Sequence, residues 1–155
     1  MTPSIPVTLC DPFEGARLLC TAPITGIFGA PVPANARLIA GEIGSTERRR
    51  FLTVTGRSPL GMAVEVNVWE EDWDRLILLL DSPLALCHAA RWLAQRRGHP
   101  PGSTAPEWSV EWDSDGAPCW RLRSGDEADW FPTVDTDLTD AEALAAACVA
   151  VGGAS

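Results

Sequence analysis

Residues 75–102 read RLILLLDSPLALCHAARWLAQRRGHPPG, and within them the chain passes from strand-like to helix-like patterning. Leu76–Leu80 is a continuous apolar run of strand length; the acidic EEDWD before it suits either the first turn of a helix or a turn into a buried strand over 75–80, and the strand is the favoured reading. Asp81-Ser82-Pro83 then ends the run and opens a helix, with Ser82 as N-cap and Pro83 at the first helical position. Leu86, Ala89, Ala90, Leu93 and Ala94 recur at helical spacing. Arg96 and Arg97 suit the last turn, Gly98 the position just past the end, and Pro100-Pro101 a stop. A strand leading into a capped helix over 83–97 excludes an all-β chain.

The flanking sequence adds more strands. IPVTLC (5–10), ARLLCTA (16–22) and ARLIAGEI (36–43) are short strand candidates. TAPITGIFGAPVPANA between them is a proline-rich loop whose Ile24, Ile27, Phe28 and Val32 suit packing or a binding rim. RRRFLTVTG (48–56) alternates, GRSP turns, and LGMAVEVNVW (60–69) alternates most clearly, with Leu60, Met62, Val64, Val66 and Val68 on one face. An antiparallel hairpin follows, in which Arg48–Arg50 are expected to pair toward Glu65.

Downstream, EWSVEW (107–112) and PCWRLRS (118–124) flank DSDGA as a second hairpin, and WFPTV (130–134) suits a short edge strand. Thr139-Asp140-Ala141-Glu142 is a capping box opening a helix that is apolar on every side. The expectation is one α+β domain spanning 1–155: a largely antiparallel sheet of roughly six to eight strands, in meanders and hairpins, packed against two helices at 83–97 and 140–151. Leu60, Met62, Val64, Val66, Leu78, Leu86, Ala90, Leu93, Trp112, Leu122 and Leu144 are the expected core.

The chain of 155 residues has no lysine and no tyrosine, which excludes a P-loop lysine, a Schiff-base lysine and a catalytic tyrosine. Its Arg-, Ala-, Gly- and Pro-rich composition suits a bacterial or phage source. The net charge of −9 is uneven: residues 1–102 carry ten acids and ten arginines, whereas 103–155 carry eleven acids against Arg121 and Arg123. Such a field opposes nucleic acid and attracts a basic partner. Cysteines at 10, 20, 87, 119 and 148 match neither a disulfide framework nor a CxxC site, so reduced thiols in a cytoplasmic protein are expected. The start lacks the features of a signal peptide, and no apolar run reaches membrane-span length.

Chemistry-bearing motifs are sparse. Cys87-His88 is adjacent in sequence, but neighbours on a helix project about 100° apart, which makes a poor dyad. Cys87 falls at the edge of the apolar stripe and His88 toward solvent. His99 lies in the GHPPG loop. No metal-ligand spacing is present, so no metal and no cofactor is expected. DSDGA resembles the opening of a calcium loop, but Ala117 and Ser124 stand where further ligands belong.

Seven tryptophans stand out, four of them within 108–130 in the acidic segment. Aromatics ringed by acids suit contact with a basic protein surface. The candidate partner-binding residues are Trp108, Glu111, Trp112, Asp113, Asp115, Trp120, Asp126, Glu127, Asp129 and Trp130. The leading expectation is a non-catalytic acidic protein-binding module, an inhibitor, immunity or accessory protein, without nucleic-acid or membrane partners. The alternatives are an enzyme of unrecognised type using Cys87, His88 or His99, and a structural protein that self-associates through 140–151.

Overall fold

The computed structural model describes residues 2–57, 60–102 and 104–153. The expected turn at GRSP includes residues 58 and 59, which lie outside the described residues. The chain forms two compact units, Ile5–Leu79 and Leu80–Ser155 with Met1–Ser4. The fold is α+β, with largely antiparallel strands and two long helices.

The first unit contains β1 (Ser4–Pro6), β2 (Arg17–Cys20), β3 (Ile24–Thr25), β4 (Pro31–Val32), β5 (Arg37–Thr46), β6 (Arg49–Arg57), β7 (Ala63–Trp69) and β8 (Leu76–Leu79). EEDWDR folds as a 3₁₀ helix, Glu70–Arg75, that leads into β8. Six strands form one sheet in the order β1-β8-β2-β5-β6-β7, and β3 and β4 make a separate small hairpin. In β5 the register slips between Ala40 and Ile43, so two residues oppose Thr53 and the strand bulges there. The sheet buries Leu18, Leu38, Leu52, Val54, Val68 and Leu78 on one face, as the period of two requires.

The proline-rich loop packs as well as turns: Ile24 and Val32 are buried while Phe28 is exposed. Gly26 lies directly on β7, where a Cβ would stand 2.4 Å from Val66 Cγ1. The Ile27 amide donates to the Asn67 carbonyl at 2.9 Å.

That contact explains a correction to the expected core. Val66 and Val68 are buried, but Val64 is half-exposed, Met62 is 67% exposed and Leu60 88% exposed. β7 is an edge strand, and the covering loop reaches only its second half. The apolar face therefore continues past its cover. The arginines differ too. Arg49 pairs with Glu71 and lies 3.7 Å over the Trp69 ring. Arg50 pairs with Asp11 and Glu70 and stacks over Trp73. Glu65 faces Thr55 across the ladder instead of the arginines, because the register sets Arg57 opposite Ala63 and Phe51 opposite Trp69.

The second unit contains α1 (Pro83–Arg96), β9 (Glu107–Trp112), β10 (Pro118–Ser124), β11 (Glu127–Phe131) and α2 (Asp140–Gly153). The strands form a sheet in the order β11-β10-β9. Among the described residues the strands are thus divided among a six-, a three- and a two-stranded sheet. The caps act as expected. Ser82 Oγ accepts from the Ala85 amide at 3.2 Å. Gly98, at φ +78, lets the His99 amide reach the Ala94 carbonyl and the Gly98 amide the Gln95 carbonyl. Thr139 and Glu142 bond reciprocally at the start of α2.

α1 and α2 pack on each other, α1 touching β10 and α2 touching β9. Ala85, Ala89, Ala90 and Leu93 of α1 and Ala143, Leu144, Ala147 and Cys148 of α2 are all buried. Small side chains bring the backbones close, and the Cys148 thiol donates to the Ala89 carbonyl at 3.8 Å. Five α2 side chains, Ala143, Leu144, Ala145, Ala147 and Cys148, are buried, whereas Val149 is exposed. Leu86 is only half-buried.

Candidate functional site

The three-stranded sheet sorts the candidate residues by register. Trp120 stands opposite Val110 and Phe131, and Leu122 opposite Trp108 and Asp129, so these share one face. Trp108 and Trp120 stack with centroids 5.3 Å apart, and Phe131 meets Trp108 edge-on. Both indole N–H groups are used: Trp108 donates to the Asp140 carbonyl and Trp120 to the Asp135 carbonyl. The two rings thus tie the segment before α2 onto the sheet, a structural task.

Farther along that face the cover ends. Val110 is 40% exposed and Trp112, expected in the core, is 69% exposed. Trp112 is the last residue of β9, an edge strand, and leads into the hairpin turn. There the Asp113 carboxylate accepts from the amides of Asp115 and Ala117, both at 2.9 Å, which fixes the loop. Asp115 is exposed. An exposed indole, an exposed valine and two carboxylates therefore share one hairpin end.

The other candidates lie elsewhere. Glu111 pairs with Arg121 on the opposite face, and Arg121 lies 5.1 Å over the ring of Trp130. Asp126 and Glu127 are exposed around the β10–β11 turn, where Gly125 at φ +59 takes the first turn position. The ten candidates do not converge on one patch. Trp112, Asp113 and Asp115 occupy one end of the sheet, Asp126 and Glu127 the other.

At that second end Asp129 joins a cluster absent from the sequence reading. His99, the residue after the helix-ending Gly98, is buried. Its Nδ1 stands 2.9 Å from Ser124 Oγ and its Nε2 2.5 Å from Asp129 Oδ2. Arg97 donates to the other Asp129 oxygen at 3.3 Å. His99 and Ser124 line a cavity of about 640 Å³ together with Arg91, Gln95, Asp126 and Glu127. The arrangement pins the end of α1 to the β10–β11 hairpin. The sequence separations of 25 and 30 residues hid it; the only local signal was that a helix-terminating glycine aims the next side chain back at its own unit.

Cys87 and His88 are both half-buried on α1, where adjacent side chains project about 100° apart. The other thiols are buried, and burial pushes the Cys10 thiol up from 9.0 to about 12, with the Asp11 charge adding to the effect. Burial also raises Cys20 and Cys119, the latter further through Asp113 and Glu111. These thiols are held as weak nucleophiles. Among the described residues no three of His, Cys, Asp and Glu gather as metal ligands would. No helix among them is long and apolar enough to cross a membrane.

The chain matches no protein-family model, no curated protein and no solved structure.

Proposed function

We propose that the chain is a non-catalytic protein-binding module that presents the β9 hairpin end to a partner with a basic surface. The carrying observation is Trp112, 69% exposed at the end of an edge strand beside exposed Val110. Indoles in such positions supply large contact area at low entropic cost. Asp113 and Asp115 flank it, in the third of the chain that holds the whole net charge. This chemistry suits an inhibitor, immunity or accessory role, in which acidic groups steer encounter and an aromatic anchor holds the complex. A cytoplasmic setting, where free thiols persist, fits the same reading.

Affinity capture with wild type and Trp112→Ala in parallel, at about 0.05 and 0.5 M salt, tests it. A stoichiometric partner is expected that is retained at low salt, released at high salt, and bound about ten-fold or more weakly by the variant. A partner held equally by Trp112→Ala, or indifferent to salt, overturns it.

A second reading, a hydrolase, is favoured by the Ser124–His99–Asp129 chain on its cavity. Ser124 Oγ would attack the acyl carbon of an ester, its proton passing to His99 Nδ1 and on to the alcohol that leaves as the acyl–oxygen bond breaks, while Asp129 holds the opposite N–H. Water would then release the acyl group from Ser124. Two features weigh against it: the imidazole side chain is only 3% exposed, and Arg97 competes for Asp129. Hydrolysis of a short p-nitrophenyl ester that Ser124→Ala abolishes would support it; equal rates in wild type and variant would remove it.

A further inference from the structure

The second unit carries an open cavity of about 640 Å³ lined by the last turns of α1, the segment after it and the β10–β11 turn. On the helix side Arg91, Ala94 and Gln95 line it, and their i, i+3, i+4 spacing sets them on one face of α1. On the hairpin side Ser124 and Glu127 line it. They stand directly opposite each other in the ladder and so project from one face of the sheet. It is the face that meets His99, because Ser124 Oγ lies 2.9 Å from His99 Nδ1. Pro100, Pro101 and Pro106 add rigid apolar rings to the lining.

The two sides differ in the polar groups they offer. Asp129 accepts from His99 Nε2 at 2.5 Å, so in the neutral imidazole Nδ1 is the bare nitrogen and takes the Ser124 hydroxyl hydrogen. Ser124 Oγ is left with acceptor lone pairs alone, and the Glu127 carboxylate beside it is an acceptor too. The helix side supplies donors, the guanidinium of Arg91 and the amide N–H groups of Gln95. Arg91 is the one arginine among the described lining residues, and Asp126 and Glu127 are the carboxylates. Arg49, Arg50, Arg97 and Arg121 all have carboxylate partners. Among the described residues Arg91 and Glu127 have none, and both are exposed.

We infer that this cavity binds a short peptide as its zwitterion. The terminal carboxylate meets Arg91 and Gln95, the terminal ammonium meets Ser124 and Glu127, and apolar side chains rest on the proline rings. A guanidinium holds a carboxylate through two parallel N–H bonds, and an ammonium brings three donors to the acceptors of the hairpin. A ligand lacking either charge leaves Arg91 or Glu127 desolvated and unpaired, which is the source of selectivity. The site lies at the far end of the small sheet from Trp112 and does not depend on a protein partner there.

Calorimetric titration of the full chain with the dipeptide alanyl-leucine, its N-acetyl derivative and its C-terminal amide tests the inference. The free dipeptide is expected to bind one per chain, about ten-fold or more tightly than either blocked form. Arg91→Gln should weaken the free dipeptide by a similar factor, to the level of the amide, and keep the preference over the N-acetyl form. Glu127→Gln should do the reverse, keeping the preference over the amide and losing that over the N-acetyl form. Both side chains are exposed and unpaired, so neither substitution removes an ion pair of the fold. No binding of the free dipeptide at about 5 mM, or equal affinity for all three forms, overturns the inference. So does an Arg91→Gln chain that still rejects the amide, or a Glu127→Gln chain that still rejects the N-acetyl form.

Discussion

At the residue scale, the side chains with the most at stake are the buried polar ones. His99 bonds Ser124 and Asp129 from inside the second unit. His99→Leu removes both contacts and leaves the Asp129 carboxylate half-buried with Arg97 alone. A loss of about 2–3 kcal/mol is expected, read from the urea midpoint; a change under about 0.5 kcal/mol would show that the cluster does not hold the hairpin. Cys10 gives a pH test. Its folded-state value is raised from 9.0 to about 12, so above pH 9 the unfolded chain loses this proton first. The stabilisation is complete below pH 9 and is lost as pH rises toward 12, at up to about 1.4 kcal/mol per pH unit. The fall in urea midpoint between pH 8 and about 10.5 should be smaller in Cys10→Ala than in wild type. Parallel curves would refute this.

At the element scale, punctuation was the most legible part of the sequence. Ser82-Pro83, Gly98 and the Thr139–Glu142 box fixed both helices because each mark answers a local need, an orphan amide or a left-handed backbone. Ser82→Ala and Thr139→Ala should each cost about 1 kcal/mol, checked by chemical denaturation, with no measurable effect at either site counting against the caps. The hairpin strands 107–112 and 118–124 were equally clear from alternation. The reading failed where a strand's environment changes along its length. Leu60, Met62 and Val64 alternate as core residues do, yet only Val66 and Val68 of this face are buried, Val66 directly beneath Gly26. Trp112 continues the face of Trp108 but extends beyond the helices that cover it. Alternation reports which face a residue occupies, and only tertiary packing decides whether that face is covered. Trp120→Ala, by contrast, removes a buried ring stacked on Trp108 and should cost about 3–5 kcal/mol.

At the scale of the whole molecule, the sequence assigned the charge correctly to the last third but could not group its side chains. Ser124, His99 and Asp129 come from three elements, and their proximity is a product of the fold. The acidic and aromatic candidates, contiguous in sequence, separate onto two ends and two faces of one small sheet, because a period of two sends neighbours apart. What remains at the β9 end is one exposed indole with Val110, Asp113 and Asp115. Trp130 is a natural comparison: it is also partly exposed, but on the opposite face and beneath Arg121. With a captured partner, dissociation constants for wild type, Trp112→Ala and Trp130→Ala test the binding surface most directly. The account predicts a loss of about ten-fold or more for Trp112→Ala and less than about two-fold for Trp130→Ala. Equal losses, or the reverse order, would contradict it.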